Sequence, residues 1–218
     1  EPGKATSLED YVSRAKEEQK EIYFILGGSR EAIESGPYIE AFRANNLEVL
    51  YLFEGVDEFV MNHIGEFDGK RLVSADQEGI ELESVNIDGE GESLSDADSS
   101  ALCEWLKSVY GESVSEVKPS KRLVDNPAIV LSKDKMLTAN MRRIMKAMNQ
   151  SLPSEPPVQM EINAAHPLMV KLFKMHAENE ETAKMVAEQI LDNCRITAGL
   201  MEDPQRTVKR VYSLLERI

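Results

Sequence analysis

The first candidate for chemistry in the sequence is the turn Gly27-Gly28-Ser29, which lies between a short apolar run and a helical pattern. Backbone N–H groups at such a strand-to-helix turn can hold a phosphate group. The turn lacks the Lys-Ser or Lys-Thr ending of a P-loop, and it lacks the third glycine of a dinucleotide-binding fingerprint. A plain turn is therefore the favoured interpretation, and phosphate binding at residues 27–30 is the alternative.

The histidines and cysteines do not form the pattern of a metal site or of a covalent catalyst. His63, His166 and His176 have no histidine partner at a four-residue spacing and no cysteine at a metal-ligand spacing. Cys103 and Cys194 lie far apart within helical patterns, without a neighbouring histidine or a helix start that would mark a nucleophile. We therefore predict no catalytic residue, no metal site and no cofactor site in this chain.

A third candidate is a methionine-rich stripe that runs from Leu137 to Met148 on a predicted helix. Five apolar residues recur there at three- and four-residue spacing, so they share about a quarter of the helix circumference. By spacing alone such a stripe is more often part of a core, but flexible methionine side chains suit surfaces that accept many partners. The five members of the stripe are Leu137, Met141, Ile144, Met145 and Met148.

The elements around these candidates alternate between helix and strand in the first half of the chain. Nearly unbroken apolar strands joined by helices imply a parallel sheet that is covered on both faces. We therefore predict a small three-layer α/β subdomain over residues 1–80, with a mostly parallel sheet. The predicted strands are 21–26, 47–53 and 70–74, and the predicted helices are 8–19, a short one capped by Ser29, one beginning at 38–45, and 56–64.

A strongly acidic stretch follows this subdomain. Between Asp76 and Asp98 there are nine acidic residues and no lysine or arginine. Such a stretch repels itself and lacks a core-forming pattern. We interpret residues 81–96 as an exposed linker between two domains, with a partner-binding acidic segment as the alternative.

The second half, residues 97–218, is predicted to be a mixed α+β domain that ends in two helices. Apolar residues recur along both closing helices at three- and four-residue spacing, which is typical of helix-on-helix packing. That spacing fits a monomeric core and an interface between protomers equally well. The other predicted elements are helices over 97–110 and 166–176 and strands near 114–124, 128–132 and 158–163.

Composition and charge exclude several classes of function. The chain has 218 residues and a net charge of −14, which argues against nucleic acid because phosphates must be met by lysine and arginine. No run of about 18 apolar residues exists, so no membrane span is predicted. The first residues show no signal-peptide pattern. Two cysteines inside helical patterns are typical of a reduced, cytoplasmic protein.

Several separated segments resemble the heat-shock protein 90 chaperone family. The segment Arg122–Pro127 resembles the family's Arg-Leu-Val-Asp-x-Pro strand pair, and Ala139–Ala147 (ANMRRIMKA) resembles the helix that follows it. The resemblance extends to SLEDYVSRAKEEQKEIYFILGGSREAIESGPYIEAF, to NNLEVLYLFEGVDEFVMNHIGEFDGKRLVS, and to the short motifs Glu161-Ile162-Asn163, His166-Pro167 and Glu202-Asp203-Pro204. These blocks occur in the family's order and cover almost the whole chain, except for the acidic stretch.

The resemblance implies that the chain is the end of the family's middle domain plus its C-terminal domain. The ATP-binding domain would then precede Glu1, so ATP and Mg²⁺ are expected in the full-length protein and neither is expected here. The chain ends in Leu-Glu-Arg-Ile, without the acidic tail that binds tetratricopeptide cochaperones. Such cochaperones are therefore not expected, and a bacterial-type cytoplasmic protein is favoured, with an organellar protein as the alternative.

The resemblance also implies roles for two sets of residues. In the family, the methionine-rich helix faces the cleft between protomers, so the five residues of the stripe become the expected contacts to non-native client proteins. The last two helices of the family pair with those of a second protomer. The resemblance therefore implies a homodimer, and the residues expected at its interface are Ile190, Leu191, Leu215 and Ile218.

Two alternatives from other functional classes stay open at this point. The first is an enzyme domain of flavodoxin-like topology that binds a phosphorylated ligand at residues 27–30 and carries a helical dimerisation module. The second concerns residues 135–150, which are basic and amphipathic and could form a calmodulin-target or membrane-surface helix.

Overall fold

The computed structural model describes residues 4–80, 82, 92–131, 157–201 and 204–217. Its first sheet has four strands in the order β2-β1-β4-β3. β1 (Glu21–Leu26) runs parallel to β2 (Val49–Leu52) and to β4 (Lys70–Ser74), whereas β3 (Glu66–Phe67) pairs with β4 in the antiparallel direction. The prediction of a mostly parallel sheet with three strands in these positions is confirmed, and the short β3 was not predicted.

The β3–β4 hairpin has a clear local cause. Asp68 and Gly69 form its turn with φ angles of 49° and 72°. Two adjacent positive φ angles are what a type I′ turn requires, and Asp-Gly is one of the sequences that adopt this turn most readily. The signal for this hairpin was therefore present in the sequence.

Among the helices predicted in the first half, the one over 8–19 is shorter than predicted, whereas the one over 56–64 is present at full length. The Ser7 hydroxyl accepts a hydrogen bond from the Asp10 backbone N–H (3.1 Å), as expected of a capping residue. The first helix nevertheless ends at Arg14, because Ala15 takes an extended conformation. The elements are α1 (Leu8–Arg14), α2 (Arg30–Glu34), a 3₁₀ turn (Pro37–Ile39), α3 (Glu40–Ala44) and α4 (Gly55–Ile64).

The second half contains a three-stranded sheet in the order β5-β7-β6. β5 (Val114–Pro119) is parallel to β7 (Val158–Ile162), and β6 (Ala128–Leu131) is antiparallel to it. The strand predicted over 114–124 ends at Pro119, because the Ser120 hydroxyl accepts hydrogen bonds from the backbone N–H groups of residues 122 and 123 (3.1 and 3.2 Å) and turns the chain.

Four helices complete this half: the first three pack around the sheet, and the last packs on the third. They are α5 (Asp96–Tyr110), α6 (Pro167–Glu178), α7 (Glu180–Thr197) and α8 (Pro204–Leu215). Gly199, with φ of 70°, lies in the break between α7 and α8, in a conformation that glycine adopts without strain. Within the described residues, no helix is long and apolar enough to cross a membrane.

The buried apolar side chains form two clusters. One lies within the second half, where α5, α6 and α7 pack on β5, β6 and β7. The other joins the halves, because Tyr23 and Phe42 of the α/β subdomain share a core with Ile129 and Leu131 of β6. The two predicted domains therefore pack directly on each other, and their division at residues 81–96, most of which lie outside the described residues, stays a prediction.

Candidate functional site

The turn at Gly27-Gly28-Ser29 serves as a helix start. The Ser29 hydroxyl accepts a hydrogen bond from the Ala32 backbone N–H (3.2 Å) and caps α2. A Cβ added to Gly27 would lie 2.4 Å from Ile33, so glycine is needed there for close packing of the strand against the helix. These contacts fit the plain turn that the sequence favours.

The two cysteines and His166 contribute to the fold and are not placed as reactive groups. Both cysteines are buried, and desolvation raises the pKa of Cys103 to about 11 and that of Cys194 to about 12. Each thiol is therefore protonated at neutral pH and is a poor nucleophile. The His166 Nδ1 accepts a hydrogen bond from the Leu168 N–H (3.0 Å), which caps α6, and burial lowers the pKa of this histidine. Across the described ranges, no three His, Cys, Asp or Glu residues are grouped so that they could hold a metal ion.

The methionine-rich stripe lies outside the described residues. All five of its members fall within residues 132–156, so their role as client contacts stays a prediction. They are Leu137, Met141, Ile144, Met145 and Met148.

The four residues expected at the dimer interface do not share one environment. Ile190 and Leu191 on α7 are only 4% and 6% exposed and belong to the core of the second half. Leu215 on α8 is 58% exposed, and Ile218 lies outside the described residues. The expectation that Ile190 and Leu191 face a second protomer needs correction, because α6, α5 and β6 already cover that side of α7 within the chain.

Helix α8 turns an apolar face away from its own chain. Its buried residues are polar, namely Thr207 and Arg210, and they face α7. At about 100° per residue, the apolar side chains fall within about 100° of arc, centred roughly a third of a turn away from the buried face. These exposed apolar residues are Val208, Val211, Tyr212 and Leu215.

Ionic and hydroxyl contacts hold α8 in this orientation. The Arg210 guanidinium binds the Asp192 carboxylate through Nη1 and the Glu188 carboxylate through Nη2 (2.9 Å). The Thr207 hydroxyl donates a second hydrogen bond to Asp192 (2.9 Å). The Arg210 side chain is only 8% exposed and that of Asp192 only 16%, so this is a largely buried ion pair.

Helix α4, in the first half of the chain, also buries a charged residue and exposes its apolar side. Its buried side chain is the charged Glu58, and the helix packs on β1, β2 and β4. The opposite side is apolar and exposed, and Phe53 extends it just before the helix begins. The exposed apolar residues of this face are Phe53, Val56, Phe59, Val60 and Ile64.

Sequence reasoning missed the α4 face for an identifiable reason. An apolar stripe on a helix is by default assigned to the core. The sequence carries no local signal to the contrary, because a charged residue such as Glu58 opposite the stripe is what a solvent-facing side would also carry. Only the structure shows which of the two sides packs on the sheet.

A polar seam joins the α/β subdomain to the second half. The Glu40 carboxylate on α3 accepts hydrogen bonds from the backbone N–H groups of Val124 (2.6 Å) and Asp125 (3.1 Å), and from the side chain of Asn126. The Tyr38 hydroxyl donates to the backbone oxygen of Val130 (2.9 Å). The segment that leads into β6 is therefore held by side chains from the other half.

Two ionisable groups, the buried Arg122 and the partly buried Asp76, lie in the same seam. The Arg122 guanidinium donates to the backbone oxygen of Ala75 (3.2 Å), and desolvation lowers its pKa. Desolvation raises the pKa of Asp76, although the Ser74 hydroxyl (2.6 Å) and the charge of Arg122 partly offset this. The seam thus contains ionisable groups that depend on each other for stabilisation.

The chain is similar over its whole length to proteins of one family. A family model described as "Hsp90 protein" matches residues 1–218. The chain is 42% identical over 216 residues to "Chaperone protein HtpG" of Desulfitobacterium hafniense, covering 99% of this chain and 35% of that protein. It is 38% identical to the HtpG of Desulfotalea psychrophila, covering 99% of this chain and 36% of that protein.

A relative from a eukaryote matches as well. The chain is 36% identical over 216 residues to "TNF receptor-associated protein 1 homolog, mitochondrial" of Dictyostelium discoideum, covering 98% of this chain and 30% of that protein. The chain spans about a third of the length of the relatives it matches.

Proposed function

The chain belongs to the Hsp90 protein family, and on that premise we propose that it is the part of an ATP-dependent chaperone that dimerises and binds non-native client proteins. We assign it to the end of the middle domain and the C-terminal domain. The ATPase chemistry, with ATP and Mg²⁺, would then lie in another part of the full-length protein. Family membership disfavours the alternative of a flavodoxin-like enzyme domain.

The observation that carries the proposal is the exposed apolar face of α8. A monomeric protein gains stability by burying such a row against its own core, yet this helix faces its neighbour with Thr207 and Arg210 instead. The arrangement is explained if Val208, Val211, Tyr212 and Leu215 are buried against the same face of a second copy of the chain. A two-fold pair would do this, because each copy presents the same surface.

We propose that client binding uses two apolar surfaces. The first is the methionine-rich stripe at Leu137, Met141, Ile144, Met145 and Met148, which rests on the resemblance to the family. The second is the exposed face of α4, which is supported by the exposure of Phe53, Val56, Phe59, Val60 and Ile64. Non-native chains expose apolar segments, and contiguous apolar patches on a folded protein bind such segments weakly and reversibly.

Suppression of aggregation tests the client proposal. Met141→Asp combined with Met145→Asp is expected to abolish the ability of the chain to slow light scattering by a thermally unfolding model protein. The same variant is expected to sediment as the wild type does, because neither residue is proposed to lie in the dimer interface. If the variant unfolds, the stripe is part of the core and the assignment is wrong.

Location and further partners follow from the same premise. We propose a bacterial-type cytoplasmic protein, with an organelle as the alternative, since the name of one relative places that relative in mitochondria. No nucleic-acid or membrane partner is proposed.

A further inference from the structure

We propose that the buried Asp192–Arg210 pair is a positioning device that fixes the rotation of α8 and thereby decides that its apolar face is offered to a second protomer. The inference rests on the proposed dimer, and it adds the residues that select dimer over monomer.

The contacts of α8 with α7 are predominantly polar at their centre. Asp192 accepts from both Arg210 and Thr207, which lie about one turn apart on α8. Glu188, one turn before Asp192 on α7, binds the second arm of the same guanidinium at 2.9 Å. A guanidinium that engages two carboxylates at once tolerates little rotation of its helix, because its donors lie in a fixed plane.

An alternative packing is available to the same sequence. If α8 rotated about its own axis by roughly a third of a turn, Val208, Val211 and Leu215 would face α7. The chain would then bury its own apolar row and would have no apolar row left for a partner. On apolar burial alone this packing is favoured in a monomer.

The buried ion pair opposes that rotation. Rotation would carry Arg210 away from Asp192 and leave a carboxylate that is 16% exposed without its cation. A charge in such a position is strongly unfavourable unless it is paired. The main effect of the pair is therefore to disfavour the monomeric packing, and its contribution to stability is smaller. Buried polar groups that select one assembly over another act in the same way.

The surroundings of α8 fit the same interpretation. An apolar groove of about 350 Å³ lies at the α7–α8 corner, lined by Ile196, Met201, Pro204 and Val208, among others. Ile196 is 53% exposed and lies next to the exposed row of α8. The observed rotation thus leaves a continuous apolar surface that includes the end of α7.

The test replaces the pair by apolar residues of similar size in the full 218-residue chain. Asp192→Leu with Arg210→Met is expected to raise the dimer dissociation constant at least tenfold, measured by sedimentation velocity over a concentration series. Its thermal unfolding midpoint, measured on dilute samples in which both proteins are monomeric, is expected to equal or exceed that of the wild type. Asp192→Glu, which keeps the charge pair, is expected to retain the dimer.

A second ion pair between the same two segments provides a matched control. Arg217, just beyond the end of α8, binds Glu181 on α7 at 2.6 Å, and both side chains are exposed. Glu181→Leu with Arg217→Met is expected to leave the dissociation constant within twofold of the wild-type value, because an exposed pair can follow small rotations of the helix.

Thiol labelling distinguishes rotation of α8 from its detachment. Val211→Cys is expected to react rapidly with a maleimide in the otherwise unmodified chain at high dilution, since Cys103 and Cys194 are buried. When Val211→Cys is combined with Asp192→Leu and Arg210→Met, the reaction is expected to slow at least fivefold, as the residue turns toward α7. Faster labelling with a lower unfolding midpoint would mean that the pair only attaches the helix, and it would overturn the inference.

The remaining outcomes separate the two proposals. A wild-type chain that is dimeric, together with a double variant that is equally dimeric, overturns the positioning role and leaves the dimer intact. A wild-type chain that stays monomeric over the whole concentration series overturns the proposed dimer and the positioning role with it.

Discussion

Helices α7 and α8 are neighbours with the same kind of sequence and opposite arrangements of their apolar residues. On α7 the apolar row, which includes Ile190 and Leu191, is buried in the core of its own chain. On α8 the apolar row is exposed, and the two buried residues are the polar Thr207 and the charged Arg210. Amphipathic spacing therefore indicates that a helix has a face suited to packing, but it does not indicate whether the same chain or another one covers that face.

The largest effect is expected from a charge placed in the buried apolar row of α7. Leu191→Asp places a charge among the apolar side chains of the core, where the leucine is only 6% exposed. We expect a loss of at least about 4 kcal/mol in the free energy of unfolding, since buried unpaired charges are among the most destabilising substitutions. Chemical denaturation monitored by circular dichroism measures this. A folded monomer with near wild-type stability would instead return Leu191 to the dimer interface.

The second-largest effect is expected from substitutions on the exposed apolar face of α8. Val211→Asp with Leu215→Asp is expected to give a folded monomer and to raise the dimer dissociation constant by at least about 100-fold, because charges at the centre of an apolar interface cost several kcal/mol. Sedimentation velocity and the thermal unfolding midpoint are measured together. Lys209→Asp, on a charged and exposed position of the same helix, is the control and should leave the dimer in place.

A smaller effect is expected at α4, the other helix with an exposed apolar face. Phe59→Asp with Val60→Asp is expected to reduce aggregation suppression by about fivefold, the equivalent of roughly 1 kcal/mol of client affinity. Both residues are about half exposed, so folding and dimerisation should be unchanged. Asn62→Asp, on an exposed polar position of α4, is the control. Unfolding of the double variant would show that α4 packs through its apolar side.

The smallest effect is expected in the seam between the halves. Burial raises the pKa of Asp76 above its unfolded value, so the folded state binds more protons than the unfolded state just above about pH 4. The contribution of this carboxyl to stability therefore falls as the pH rises through the folded pKa. The stability of Asp76→Asn relative to wild type is expected to increase between about pH 4 and pH 7 in urea titrations. A difference that moves the other way would mean that the pairing with Arg122 dominates.

Much of the fold followed from the sequence, because local signals agreed with the tertiary structure. The apolar runs at residues 21–26 and 70–74 form strands, and Ser29 caps a helix as predicted. The Asp68-Gly69 turn carried its signal in two residues and was overlooked, since the strand before it has only two residues.

The features that could not be predicted depend on one local side-chain contact and on contacts between distant residues. The turn at Ser120 ends a strand whose apolar pattern continues beyond it, because a hydroxyl supplies the local hydrogen bonds. The shared core at Tyr23 and Ile129 joins segments that are separated by the acidic stretch. The exposure of Leu215 beside the burial of Leu191 is decided by which side of each helix meets its neighbour, and helical spacing is identical in the two cases.

Sedimentation velocity of the unmodified chain over a micromolar concentration series tests the central claim most directly. A row of apolar side chains turned outward by a buried Arg210 should bring two copies together, so a single species of twice the chain mass is expected at the upper concentrations. A species of one chain mass at every concentration would show that α8 leaves its apolar row in water, and the proposed dimer would then be wrong.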